Sequence, residues 1–387
     1  MRKTNPIIAV MIRELRRIAS DRNIFTIVLI APLFYAFFYG TIYIEKREAL
    51  LPVIVVDYDR SEFTRELVKE FDAHQTILIT GYAPDLTEAE RMLLQGEVNG
   101  VLFIPEGLTA SYKAGKSAGI KLYLNTVRFL VSNDLLMAFN DVLIHKALQN
   151  RISVFRAKGF SYNQAFDAAE PIRENIVQLS NPGGNYGDFI IPGLIILIIH
   201  QTMLIGLAES IAREREDRTV RDLIARGGGS VLHALMGKFS VFFSFFFIYS
   251  LFFYVVNFSV LSIPIAGSFL LLLFITIAFL PSVVFMAVFI SSFFKRKIYA
   301  LQALAFSTYP FFFLTGYSWP LSGLPEFLKV AGSVFPITPM LDAFIKVTRL
   351  GAGFETIAGD LIHLTLLSMV YGGLAYFRLR RLNQKEA

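Results

Sequence analysis

Cysteine is absent from the 387 residues, and charged residues are scarce at 18% of the chain. The absence of cysteine excludes disulfides, thiolate metal sites and cysteine nucleophiles. Soluble domains contain about 25% charged residues, so the low fraction argues against that class. The five histidines are scattered, and no metalloprotease, nucleotide-hydrolysing or Ser-His-Asp arrangement is recognisable. We therefore do not expect the chain to be an enzyme on its own.

Apolar residues make up 54% of the chain, with 38 phenylalanines among them, and the mean hydropathy is +0.53. A membrane-spanning helix needs about 20 predominantly apolar residues. Six runs of about this length carry no Asp, Glu, Lys or Arg: Ile24–Tyr43, Phe189–Ala208, Phe239–Ile263, Phe269–Phe294, Ile298–Trp319 and Leu361–Phe377. The sequence therefore predicts an α-helical polytopic membrane protein with six spans, the first of them a retained signal anchor.

Lysine and arginine are distributed unevenly between the two ends of these spans. Nineteen lie in the N-terminal segment, in Glu209–Lys238, in the loop Lys295–Lys297 and in the C-terminal tail. The loop before the last span holds three, and the loop between the third and fourth spans holds none. Because cytoplasmic loops carry the basic excess, both termini are predicted to be cytoplasmic, with residues 44–187 outside.

Residues 44–187 predict an inserted extracytoplasmic α/β domain, because strand and helix patterns alternate along them. Strands are predicted at Leu51–Asp57, Thr76–Thr80, Gly100–Ile104, Ile120–Leu124 and Ile172–Leu179. Helices are predicted at Ser61–Ala73, Thr87–Gln95, Val127–Arg156 and Tyr162–Glu170. Ser61 is the expected N-cap of the first helix. Thr87, followed three residues on by Glu90, has the capping-box pattern.

The N-terminal segment predicts an amphipathic helix on the cytoplasmic membrane surface. Its apolar residues recur at helical spacing: Ile7, Ile8, Met11, Leu15 and Ile18. Arg13, Arg16 and Arg17 fall on the opposite side. Glu14 lies inside the apolar arc, either as a contact for a cytoplasmic partner or as a helix-surface charge near the interface.

A mixed-charge run follows the second span. Glu214, Arg215, Glu216, Asp217 and Arg218 precede Thr219, Leu223 and Ile224. A short cytoplasmic helix of this kind can dock into a partner by opposite charges. The alternative is a solvated loop that carries topology-setting residues.

Two further groups of residues lie within or after the later spans. His200 and Gln201 are polar residues in the middle of the second span, and Gln302 and Tyr309, seven residues apart, are expected on one face of the fifth. They would face a subunit interface or a substrate pathway, or make interhelical hydrogen bonds.

After the fifth span, two short amphipathic pieces, Glu326–Val334 and Met340–Val347, are separated by turn residues and suggest a re-entrant or lid-like hairpin. The turn residues are Gly316, Pro320, Pro325, Pro336, Pro339 and Gly351.

These features resemble the membrane subunit of an ABC-2 type exporter along nearly the whole chain. The most specific residues are Arg213-Glu214-Arg215-Glu216 at the end of the second span. The others are the strand ending at Asp57, Gly100–Pro105, Asn181-Pro182, Ile191–Leu194, and Gly316 with Pro320 and Leu324-Pro325. The chain departs from the family pattern at Arg218, where a glycine is usual, and at Arg221, where an acidic residue is usual.

The resemblance implies a permease that exports a drug, lipid or polymer-like substrate by means of a separate cytoplasmic ABC ATPase. Glu14, Glu214, Arg215, Glu216 and Thr219 would couple to that ATPase. The chain itself would bind no cofactor, because ATP and Mg²⁺ would act through the partner. A second permease copy or paralogue, membrane lipid and a periplasmic adaptor are the other implied partners, in a bacterial inner membrane.

The implied organisation begins with a cytoplasmic helix at 1–23, a first span at 24–43 and the outer domain at 44–187. It continues with a five-span domain at 188–377, containing a coupling segment at 209–238 and an outer re-entrant segment at 320–350, and ends with a cytoplasmic tail at 378–387. Two other classes remain open. One is a stand-alone secondary transporter or channel, and the other is a non-transporting scaffold or sensor on the same fold.

Overall fold

The computed structural model describes residues 5–42, 50–114, 116–117, 119–172, 180–181 and 186–385. The chain divides into two compact units. One unit combines Met1–Lys46 with Gln178–Ala387, and the other is formed by Arg47–Val177.

The first unit begins with helix α1, Pro6–Ser20, which starts at an Asn5 cap. The Asn5 side chain accepts a hydrogen bond from the Ile7 amide, and Pro6 occupies a position where no amide hydrogen is needed. The chain then turns at Asp21, whose carboxylate accepts the Asn23 amide and starts the long helix α2, Arg22–Ile42.

The second unit alternates strands and helices, as the sequence predicts. Its elements are β1 (Leu51–Asp57), α3 (Glu62–Asp72), β2 (Ile77–Tyr82), α4 (Leu86–Gln95), β3 (Gly100–Ile104), α5 (Leu108–Lys113), β4 (Lys121–Leu124), α6 (Phe129–Ala157) and α7 (Tyr162–Ala169). The strand order is β2-β1-β3-β4, with β1 parallel to β2 and β3, and β4 antiparallel to β3. Buried side chains cover both faces of β1, because Val53 and Val55 lie in one apolar cluster and Ile54 and Val56 in another.

The local predictions for this unit were mostly confirmed. Ser61 caps α3, and its hydroxyl accepts the Thr64 amide at 3.1 Å. The Thr87 cap was wrong, because α4 begins one residue earlier and the Asp85 carboxylate accepts the Glu88 amide at 2.9 Å. Helix α5 was not predicted, since six residues are too few to show a clear period. Residues 173–179 of the expected returning strand lie outside the described residues.

The rest of the first unit is helical. Its helices are α8 (Tyr186–Glu216), α9 (Val220–Arg226), α10 (Val231–Val260), α11 (Phe269–Ser291), α12 (Lys297–Phe306), α13 (Thr308–Leu314), α14 (Glu326–Ser333), α15 (Ile337–Thr348) and α16 (Phe354–Lys385). Among the described residues, five helices are long and apolar enough to cross a membrane: α2, α8, α10, α11 and α16. The number is six if α14 and α15, which are bent by 89° at their junction, form one span. The fold is therefore that of a helical, multi-pass membrane protein.

The predicted fifth span, Ile298–Trp319, is not one continuous helix. Helix α12 ends at Phe306 and α13 starts at Thr308. Pro310 explains the break, because proline removes the hydrogen bond to the carbonyl four residues earlier and its ring clashes with that carbonyl, here that of Phe306. The expectation of a single helix was wrong because it considered hydropathy and not this proline.

Helix α8 lies at the centre of the first unit. Its most apolar stretch is 83% buried within the chain, compared with 11–56% for the other four long helices. Such burial comes from protein neighbours around the whole circumference of α8, and both of its ends make contacts that could be functional.

Candidate functional site

Five charged side chains meet near the C-terminal end of α8, and we call them the charged cluster: Arg13, Glu14, Arg17, Glu214 and Lys238. Three helices supply them, α1, α8 and α10. The Glu214 carboxylate is fully buried and accepts two hydrogen bonds from the Arg13 guanidinium, at 2.5 and 2.8 Å. It also accepts hydrogen bonds from Arg17 and from the Thr219 hydroxyl.

The second carboxylate of the cluster is Glu14, which is also fully buried. Its Oε2 accepts hydrogen bonds from the Lys238 ammonium at 2.6 Å and from the Ser210 hydroxyl at 3.1 Å. Arg13 contacts its other oxygen at 3.0 Å. Lys238 also donates to Ser210 at 2.7 Å and lies 3.5 Å from Glu214. The two carboxylates are therefore joined through shared cations into one network.

The close approach of α1 to α10 makes this network possible. A Cβ at Gly237 would lie 2.5 Å from the Cβ of Val10, so only glycine allows the two helices to approach this closely. The face of α1 that carries Val10, Glu14 and Ile18 is buried, while Ile8 is 47% exposed. Helix α1 is amphipathic, as predicted, but its buried face packs on protein.

Electrostatics favour the charged state of Arg13. Burial lowers the pKa of its guanidinium, but hydrogen bonding to Glu214 and the negative charges of Glu214 and Glu14 raise that pKa overall above its usual value. Buried charges of this kind are tolerated only when they are paired and hydrogen-bonded. The cluster therefore holds α1, α8 and α10 together as long as its pairs remain complete.

Glu214 does not lie in a solvated loop, which was one of the two alternatives for the mixed-charge run. Glu14, Glu214 and Thr219 all contribute to this network, because the face of α8 that carries Glu214 packs against α1 and α10 and away from water. The sequence left two alternatives for Glu14, a contact for a partner or a charge on the helix surface. The structure shows neither, because the Glu14 carboxylate is buried and pairs with Lys238 inside the chain. A role of these residues in ATPase coupling stays a prediction, but direct contact with a partner is not available to either buried carboxylate.

Arg215 and Glu216 point away from the charged cluster toward the connection between α11 and α12. Arg215 donates to the carbonyls of Ser292 and Phe294 at 2.6 and 2.7 Å. The Glu216 carboxylate accepts the Lys297 amide at 2.9 Å, at the first residue of α12. The mixed-charge run therefore divides its contacts between two parts of the unit.

Arg218 occupies the position where the resembled family has glycine, and its backbone explains that preference. Its φ of 56° lies in the left-handed region that glycine adopts most readily. Thr219 closes the turn by donating its amide to the Glu214 carbonyl at 2.8 Å. Arg221 is exposed on α9, beside the equally exposed Asp222.

His200 and Gln201 lie in the interior of the unit. The His200 ring is fully buried between Phe279 and Phe311, with ring centroids 6.1 and 6.0 Å away. Neither of its nitrogens has a hydrogen-bond partner among the described residues. Gln201 donates from Nε2 to the Leu304 carbonyl at 2.5 Å, which joins α8 to α12. This interhelical bond is one of the two alternatives expected from sequence.

Gln302 and Tyr309 lie elsewhere, on the surface of the chain. Gln302 is exposed and Tyr309 is 76% exposed. The break at Ser307 places them on two helices, α12 and α13, so the expectation that they share one helix face stays a prediction. The four expected pathway residues therefore form a buried pair and an exposed pair.

A site that the sequence analysis missed lies at the other end of α8. Pro192 has no amide hydrogen to donate to the Asp188 carbonyl, and the Gly193 amide donates to the Tyr317 hydroxyl at 3.1 Å. The Tyr317 hydroxyl donates to the Phe189 carbonyl, and Arg349 donates to the Asp188 carbonyl. We call these contacts the carbonyl site. The Pro-Gly pair inside a span was the signal for it.

The expected turn residues begin next to Tyr317 and continue along the chain to α15. Gly316 has a φ of 82°, and a Cβ there would lie 2.5 Å from the Leu321 side chain. Pro320 precedes a short turn, Pro325 precedes α14 and Pro336 precedes α15. The bend of 89° between α14 and α15 fits either a broken span or a re-entrant hairpin. Pro182, another residue of the family resemblance, lies outside the described residues.

Comparison with protein families decides the class of this chain. Residues 23–377 match the family described as ABC-2 family transporter protein. The chain belongs to the ABC-2 transporter family. The match includes all five long helices up to residue 377, and also the charged cluster except for its α1 residues.

Two curated relatives extend this result. The chain is 25% identical over 209 residues to proteins described as "Probable multidrug ABC transporter permease YbhR" from Escherichia coli K12 and from Escherichia coli O157:H7. Each alignment covers 52% of this chain and 54% of the relative. The chain thus spans about half the length of the curated relatives it matches.

Proposed function

We propose that this chain is the membrane permease of an ATP-driven exporter, with a separate ABC ATPase that supplies ATP and Mg²⁺ chemistry. The observation that carries the proposal is the family match over 23–377, together with the many apolar helices of the same region. The proposed substrates are drug-like or lipid-like molecules taken from the cytoplasm or the inner leaflet, which agrees with the word "multidrug" in the description of the relatives. Two permeases would pair to enclose the pathway.

The proposed orientation places both termini in the cytoplasm of a bacterial cell and Arg47–Val177 outside the inner membrane. The basic residues concentrated at one end of the spans support it. The chain has no native cysteine, so single cysteines at Lys116 and Arg296, both exposed, can be labelled cleanly. A membrane-impermeant maleimide should label Lys116→Cys in cells with a permeabilised outer membrane and an intact inner membrane. Labelling of Arg296→Cys under the same conditions would contradict the orientation.

The proposed ATPase-docking surface is the exposed face of α9. Val220, Leu223 and Ile224 are buried beneath this helix, while Asp222 and Arg226 are exposed on its outer face. Thr219, which precedes α9, donates its side-chain hydrogen bond to Glu214. A displacement of α9 would therefore reach the charged cluster, and through it α1, α8 and α10. In this proposal Glu214 transmits the motion and does not itself touch the ATPase.

The test reverses two exposed charges on α9 without changing net charge. We expect Asp222→Arg with Arg226→Glu to reduce ATPase co-purification at least tenfold, because like charges placed opposite each other at an interface cost several kcal/mol. The matched control is Glu326→Lys with Lys329→Glu, which reverses the exposed ion pair of α14. Reversal of Glu214 is not a suitable test, because it would place three arginines together in the interior.

The result separates the functional classes. Loss of the ATPase from the α9 variant alone, together with loss of ATP-dependent export, would support the permease. Full ATPase binding by both variants would reject the α9 surface. Substrate movement that needs no ATPase would indicate a secondary transporter or channel. Stable ATPase binding without any substrate movement would indicate a scaffold or sensor.

A further inference from the structure

A small cavity of about 290 Å³ lies where α8 and α16 end, apart from the charged cluster. The described residues that line it are Arg215, Arg378, Arg381, Leu382 and Gln384. Three of these five carry a positive charge, and none is acidic. Like charges that share a cavity repel each other, so an anion bound there would be stabilised by all three.

Two of the arginines are held in place by backbone carbonyls. Arg215 donates to the carbonyls of Ser292 and Phe294 at 2.6 and 2.7 Å, and Arg378 donates to the Ser292 carbonyl at 3.5 Å. The Arg378 guanidinium also stacks over the Phe293 ring at 4.4 Å. Its buried Nε atom has no hydrogen-bond partner within the described residues. A guanidinium fixed in this way loses little entropy when it binds an anion, and its planar fork matches phosphate geometry.

Exposed aromatic side chains indicate the depth of this cavity in the membrane. Phe293 is 54% exposed and its ring lies under the Arg378 guanidinium. Phe377 is 61% exposed and directly precedes Arg378 in the chain. Exposed phenylalanine rings suit the acyl-chain region, while arginines near helix ends extend their guanidinium groups to the headgroups, so the two together mark the boundary between these layers. The cavity therefore opens at headgroup level and not far into the aqueous phase.

We propose that this cavity binds the phosphate headgroup of an anionic phospholipid in the cytoplasmic leaflet. That leaflet carries the negative surface potential, and basic pockets between transmembrane helices on that side accept anionic headgroups. A bound lipid would bridge the end of α8 to the end of α16 and to the connection between α11 and α12. The inference uses the orientation of the proposed function but needs neither an ATPase nor a transported substrate.

The experiment measures lipid binding by native mass spectrometry on the full chain in a neutral detergent. The probes are phosphatidylglycerol, phosphatidylcholine and inorganic phosphate. We expect the wild-type chain to bind phosphatidylglycerol at least tenfold more tightly than phosphatidylcholine. Arg381→Gln should weaken phosphatidylglycerol binding about tenfold, because one charge-assisted hydrogen-bonding group is lost. Arg381 is exposed, so this change should leave the fold intact.

The matched control is Arg380→Gln, an exposed arginine one residue away that does not line the cavity. It should change phosphatidylglycerol affinity less than twofold. Equal weakening by Arg380→Gln and Arg381→Gln would overturn the proposal, since it would indicate diffuse surface charge. Equal affinity for the two lipids would also overturn it. Displacement of the lipid by millimolar inorganic phosphate would assign the cavity to a soluble anion. Failure of export or ATPase binding has no bearing on these outcomes.

Discussion

The two ends of α8 are held in different ways. At its C-terminal end, five charged side chains from three helices form a buried network. At its N-terminal end, the Tyr317 hydroxyl and the Arg349 guanidinium of the carbonyl site bond to main-chain groups next to Pro192, including the Asp188 carbonyl that Pro192 deprives of its helical donor. One end depends on charge pairing, and the other depends on close packing against a glycine.

This difference has a mechanical consequence. Ion pairs among several partners can be exchanged, so a charged network can have more than one arrangement of similar free energy. The Tyr317 ring lies so close to Gly193 that an added Cβ would approach it to 2.3 Å, which leaves no room for sliding. We expect the C-terminal end of α8 to move when a partner docks and the N-terminal end to stay in place.

The largest expected effect comes from removing the buried cation of the charged cluster. Lys238→Met leaves Glu14 paired with Arg13 alone and removes a neighbour of Glu214. Breaking one partner of a buried ion pair costs about 3–5 kcal/mol. The measurements are the thermal unfolding midpoint of the purified chain and the yield of inserted protein, both of which should fall.

A double variant shows whether charge imbalance causes the loss of stability in Lys238→Met. Lys238→Met combined with Glu14→Leu removes both partners, and apolar replacements of a whole buried pair are often neutral or stabilising. The double variant should therefore recover most of the lost stability. If it is less stable than the single variant, the loss reflects packing of the lysine stem, and the cluster is not an electrostatic unit.

How much of the fold and of the candidate site could be predicted from the sequence depends on how far apart the interacting residues lie along the chain. Five of the six predicted spans, the α3 cap and the positions of β1 to β4 follow from local periodicity and hydropathy, and they were predicted. The pairing of Glu214 with Arg13 joins residues 201 positions apart, and no local pattern shows which charges will meet. The break at Pro310 and the site at Pro192-Gly193 were visible as residues, but the partner Tyr317 is 124 positions from Gly193.

The next largest expected effect concerns the carbonyl site at the N-terminal end of α8, where the Tyr317 ring packs against Gly193. Gly193→Ala would force the Tyr317 ring away from the helix, and overpacking of this kind costs about 1–3 kcal/mol. The measurement is again the thermal unfolding midpoint. In a Tyr317→Ala background the ring is gone, so the same Gly193→Ala change should cost much less. An equal cost in both backgrounds would mean that the glycine is needed for its backbone and not for the ring.

The smallest expected effect tests the edge of the charged cluster, where burial ends. The Asp217 side chain is 49% exposed and lies 3.8 Å from the Arg17 guanidinium and 3.4 Å from Arg213. Exposed pairs contribute about 0–1 kcal/mol and are screened by salt. Asp217→Asn should therefore lower stability by less than about 1 kcal/mol, and the difference from wild type should shrink as ionic strength rises. Glu214→Gln is the buried comparison, and its larger cost should persist in high salt because water and ions do not reach it. A salt-insensitive loss at Asp217 equal to that at Glu214 would show that the network extends to the surface, and the contrast between its buried centre and its solvated edge would be wrong.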